Sequence, residues 1–177
     1  VIRDAIDAAA TAGKINFYTA ARPATGAAIT SQTLVGTVVC GDPCAPNAAN
    51  GVLTMNSLTE DSDADNDGVT IWARFVDGDD NFVLDCNVGK QFTQDGNTTN
   101  GNAVITNLSN TAKMDVGMEV TGAGIPAGTT IQSIDSGTQI TLTANATATG
   151  SGVTLTFTSP DCEILLNDND ISQGGII

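Results

Sequence analysis

Apolar and polar positions alternate along this chain in short runs separated by turn formers, and this period of two predicts strands almost throughout. In KINFYTAARP, Ile15, Phe17 and Thr19 alternate with Asn16, Tyr18 and Ala20, a strand that Pro23 ends. A polar loop leads to TLVGTVVC, and the turn-rich GDPCAPNAAN precedes GVLTMNSLTE. In VTIWARFV, Val69, Ile71, Ala73 and Phe75 fall on one face and Thr70, Trp72, Arg74 and Val76 on the other. DGDDN reads as a turn, with FVLDCNVG returning as the partner strand and CEILLNDNDI supplying a later one. A helical period occurs at the start, where Ile2, Ile6, Ala9 and Ala10 share a face and Gly13 is a natural stop. A terminal arm is the alternative there, because isolated helices this short are marginal. About six strands joined by short polar turns predict an all-β fold, an antiparallel β-sandwich of jelly-roll type with a short N-terminal helix.

The pattern changes between Lys90 and Pro160. Residues 91–159 hold five charged residues (Asp95, Lys113, Asp115, Glu119 and Asp135) and two aromatics, Phe92 and Phe157. Thr, Gly, Asn and short β-branched runs fill the rest. NAVIT, MEVTG, TTIQSI, TQITLTA and VTLTFT read as strands, and NTAKMDVG, AGIPAG, DSG and NATATGSG read as turns. The flanking acidic segments resemble two strands of one sheet cut apart. The expected organisation is a host domain of residues 1–90 and 160–177 with a small β module, 91–159, inserted at a hairpin tip. Such insertions cost little, because loop-closure entropy grows slowly with length. A module presented in this way is expected to be displayed.

Charge narrows the field. A net charge of −14 with only six basic residues leaves no basic patch for nucleic acid. No apolar run is long enough to span a bilayer, and the N-terminal residues lack the charged-then-apolar order of a secretion signal. The absence of histidine removes Ser-His-Asp and Cys-His catalysis and most zinc sites. Acidic residues cluster in turns, where raised pKa values are not expected. No catalytic residues are assigned and no enzyme activity is expected.

Two groups of residues remain as candidate sites. Asp61, Asp63, Asp65 and Asp67 alternate like the first part of a calcium loop, but the twelfth position counted from Asp61, where such a loop needs a bidentate acid, is Trp72. A solvated acidic turn competes with a looser calcium site; no other cofactor is expected. Asp77, Asp79 and Asp80 form a similar, weaker group. Cys40 and Cys44 sit in CGDPC, while Cys86 and Cys162 bracket the module. Disulfides in either pairing, free buried thiols and a four-thiolate metal site are the competing readings. A Cys86–Cys162 bridge would pin the base of the module.

The order RDAIDA, K-I-x-F-Y-x-x-x-R-P, L-V-G-T, D-P, A-N-G-V-L-T, I-W-A-R-F-V-D-G-D and N-V-G resembles a group of small structural virion proteins of tailed bacteriophages and prophages. The resemblance covers roughly the first half of the chain and resumes weakly at EILLNDNDISQGG. GMEVTGAGIPA and the Thr-rich strands after it resemble a small β module found in phage tail and other surface-exposed proteins. These resemblances imply a particle-surface protein, in first place a capsid decoration or head-fibre protein beside the major capsid protein. A tail or fibre-associated adhesive protein and a non-viral extracellular filament or adhesin subunit are the alternatives. The first resemblance also implies a further strand after GGII. A sandwich lacking that strand exposes an unpaired edge, which predicts a homo-oligomer, with a trimer as the expectation, in which a terminus of one subunit completes or covers its neighbour; a longer natural product is the alternative.

Overall fold

The computed structural model describes residues 2–50 and 52–166, together with the backbone of 170–171. The fold is all-β with antiparallel sheets and a short N-terminal helix. Its elements are α1 (Ile2–Ile6), β1 (Lys14–Tyr18), β2 (Leu34–Val39), β3 (Gly68–Val69), β4 (Trp72–Val76) and β5 (Phe82–Thr98). There follow β6 (Val104–Ile105), β7 (Glu119–Gly122), β8 (Ile131–Ser136), β9 (Gln139–Leu142), β10 (Gly150–Thr158), β11 (Ile164–Leu166) and β12 (Asp170–Ile171). Two compact units result, Val1–Val88 with Asn169–Ile177, and Gly89–Asp168. The strand expected after GGII lies outside the described residues.

The first unit is sandwich-like in character and centres on the strand order β2-β1-β4-β5, with β12 paired to β3 beside it. The β4–β5 hairpin has the expected register, Ala73 opposite Cys86 and Phe75 opposite Leu84. Alternation in β1 holds for Ile15 and Phe17, which are buried. In β4 it fails, because Trp72, Ala73, Arg74 and Val76 are all buried while Val69 and Ile71 are exposed. A strand covered on both faces carries no period-two signal. The helix is shorter than the apolar spacing suggested: Ile6 is buried, Ile2 is exposed, and Ala9 and Ala10 lie beyond the last turn. Asp7 holds the end of α1 against the CGDPC loop by accepting the Cys44 N–H at 2.8 Å. Among the described residues of GVLTMNSLTE no strand forms, and Thr59 is bridged to Val39 of β2.

The second unit closes on itself. β5 pairs with β10, and β10 with β7. β7 is joined to the start of β8 through Glu119 and Thr130, with backbone bonds from Val120 to Thr129 and from Ile131 to Met118. β8 pairs with β9, and β9 with β6. The ring is completed by Asn97 of β5 and Thr106, which exchange backbone bonds of 2.8 and 3.2 Å. Closing the ring removes the free sheet edges that would otherwise invite pairing with other chains. The interior is filled by Ile105, Leu108, Met114, Met118, Val120, Ile131, Ile140, Leu142, Leu155 and Phe157. All of them come from the unit itself.

Candidate functional site

Of the four aspartates with calcium-like spacing, Asp61 is engaged within the fold through both oxygens. Its Oδ2 accepts the Thr37 N–H at 2.8 Å and its Oδ1 the Asp63 N–H at 3.2 Å. Asp63, Asp65 and Asp67 are exposed. Among the described residues no group of three or more His, Cys, Asp or Glu is placed to hold a metal ion. Asp77 organises the β4–β5 turn instead: Asn81 donates to it from side chain and backbone, and the Asp79 N–H adds a bond of 2.9 Å. These bonds, those of Asn81 foremost, hold its carboxyl below the usual range.

No disulfide joins the described cysteines in this structure, in either the Cys40–Cys44 or the Cys86–Cys162 pairing. Cys162 turns its thiol onto the Pro160 carbonyl at 3.1 Å. Cys44 is fully buried; burial, with Asp7 and Cys40 adding negative charge beside it, pushes its pKa up to about 11. Burial raises Cys40 in the same direction, Asp7 adding to it. The thiolate is the nucleophile, so at about pH 8 only about a thousandth of Cys44 is reactive. We expect peptide mapping of unreduced protein to give no disulfide-linked peptide. Alkylation of Cys44 in the folded chain should be at least about 100-fold slower than in the unfolded chain. A bridged peptide, or equal rates, would contradict this arrangement.

The strongest side-chain constellation went unread in the sequence. Arg74 donates to Asp85 from Nε and Nη2 at 2.7 and 3.0 Å, with side chains only 9 % and 0 % exposed. Gly26 N–H donates to Asp85 Oδ2 at 3.1 Å and Arg22 to the Asp85 carbonyl at 3.2 Å, which ties the loop between β1 and β2 to the sheet. Burial works against the Asp85 carboxylate, but the Arg74, Gly26 and Arg22 contacts prevail and leave its pKa lowered. Arg74 also lies 5.6 Å from the Trp72 ring centre and 5.2 Å from that of Phe82, and Tyr18 stacks on Trp72 at 4.6 Å. The registers make this legible in retrospect. Thr37 faces Asn16, Asn16 faces Arg74, and Arg74 faces Asp85, a polar row across four strands. Its members are already paired with one another, so it is a structural row.

The second unit carries an open polar cleft of about 280 Å³ lined by Phe92, Thr93, Gln94, Ser109, Asn110 and Lys113. Phe157 stacks on Phe92 at 5.2 Å and fixes that wall. Gln94 Nε2 donates to Ser109 Oγ and to the Asn110 carbonyl at 2.6 and 3.0 Å, which leaves its oxygen as an acceptor. Asn110 accepts the Ala112 N–H with Oδ1, leaving its amide as a donor. Such a cleft can hold a small polar molecule. No protein-family model, curated protein or solved structure matches the chain.

Proposed function

We propose that the chain is a structural virion protein of a tailed phage, displayed on the outside of the capsid in many copies and without catalytic activity. One observation carries the display part of this reading. The two ends of the barrel segment lie side by side, with Ser159 N–H donating to the Lys90 carbonyl at 2.9 Å and Lys90 N–H to Ser159 Oγ at 3.1 Å. A closed barrel whose two ends lie side by side can be inserted into a hairpin at little cost to the rest of the chain. Gly89 allows the close approach there, since a Cβ on it would lie 2.4 Å from Cys162 Sγ. The residue pattern of the first half supports the phage assignment, and the net charge of −14 suits a particle surface exposed to solvent. In this reading the partners are the major capsid protein and further copies of the chain, with a trimer as the assembly.

The polar cleft favours a second reading, an adhesive protein of the tail or a fibre whose barrel touches a cell-surface glycan. Quantitative mass spectrometry of purified particles encoding this chain decides between them. Copy numbers comparable with those of the major capsid protein are expected. A handful of copies per particle would overturn decoration in favour of the tail, and absence from the particle would overturn both.

A further inference from the structure

We propose that residues 59–67 are an edge guard, which keeps β2 from pairing with a second copy of this chain. In the order β2-β1-β4-β5, β2 is the outer strand and its far side would present unpaired backbone groups. Its sequence, LVGTVV, is uncharged, free of proline and rich in β-branched residues, the composition most prone to pair with its own kind. The segment running along that side does not form a strand. It engages the edge at three points instead. Thr59 exchanges backbone bonds of 2.8 and 3.2 Å with Val39, Asp61 Oδ2 accepts the Thr37 N–H at 2.8 Å, and Asn66 Nδ2 donates to the Leu34 carbonyl at 2.8 Å. Ala64, 2 % exposed, anchors the middle.

Side chains thus stand in for most of a missing strand, and a side-chain cap cannot template a further one. Glu60, Asp61, Asp63, Asp65 and Asp67 also give the segment five carboxylates, which add repulsion against another acidic chain. With the guard released, two β2 edges related by a two-fold axis can satisfy one another in antiparallel pairing, which makes a second copy the natural occupant. This assigns the aspartate segment a task that needs no ion. It holds whether or not the chain belongs to a virion.

The test is the mass of the full-length chain in solution, by size exclusion with light scattering. Asp61→Ala combined with Asn66→Ala should at least double the mass relative to the native chain. Asp63→Ala, which removes the same charge without touching the edge, should leave it unchanged. Adding Val39→Lys to the double variant should restore the native mass, because a charge on the edge blocks pairing. An unchanged mass for a folded double variant would overturn the proposal, as would an equal rise with Asp63→Ala. If Trp72 fluorescence shows the double variant unfolded, Thr59→Pro, which removes one donor to Val39, gives the same reading with the same two outcomes.

Discussion

Residues 89–160 alone should fold to a monomeric β-barrel with a cooperative melt. The expectation rests on closure: every neighbour in the ring β5-β10-β7-β8-β9-β6 is supplied from within the segment. Its apolar core is likewise its own. At this size a single core supplies about 3–5 kcal/mol of stability. Phe157→Ala, at a position with no exposed surface, costs about 3–5 kcal/mol and should therefore leave the isolated segment unfolded. In the complementary deletion, an Asn-Gly turn replacing residues 91–159 should leave the sheet β2-β1-β4-β5 folded. Circular dichroism of both fragments checks the pair, and loss of cooperativity in the native barrel segment would show that it needs the rest of the chain.

Asp85→Ala should be the most damaging single change in the first unit. It strands the Arg74 guanidinium, 9 % exposed, without its counter-charge, and breaking such a buried pair costs about 3–5 kcal/mol. The Trp72 fluorescence midpoint should fall by more than about 10 °C. Replacing both partners by apolar residues, Arg74→Met with Asp85→Leu, should recover much of the loss. An Asp85→Ala melt within about 2 °C of native would contradict the account. The pair also sets a pH dependence. Asp85 has its folded pKa lowered, so its contribution is present above the unfolded carboxylate value of about 3.9 and is lost as pH falls through the folded value. Acid below about pH 4 should weaken the Trp72 transition in the native chain and leave the apolar double variant less affected.

Much of this architecture was legible in the sequence, and the exceptions have physical causes. The β-branched runs from Val104 to Thr158 mark β6 to β10, because short strands around a filled barrel keep one face inward. β5 was cut too early. The expected strand ends with FVLDCNVG at Gly89, yet Gln94, Asp95, Gly96 and Asn97 continue it to 17 residues. Gly96 is there for packing, since a Cβ would lie 2.8 Å from Ile105 Cγ2 and 3.1 Å from Leu108 Cδ2. Arg74 and Asp85 were invisible as a pair because their meeting depends on hairpin register, and a buried charge breaks the alternation used to find strands. The role of Asp61 at Thr37 and Asp63 could not be read from spacing, because short acidic side chains suit metals and backbone N–H groups alike.

The central claim is that the barrel is a self-contained unit, and the chain carries a built-in probe for it. Its single Trp and single Tyr, Trp72 and Tyr18, both lie in the first unit, so fluorescence reports on that unit alone while circular dichroism sees both. Thermal unfolding of the full-length Phe157→Ala variant, followed by both signals together, is the most direct measurement. The account predicts a Trp72 transition at the native temperature, with the barrel's share of the dichroism already lost below it. A single transition, shifted equally in both signals, would contradict it.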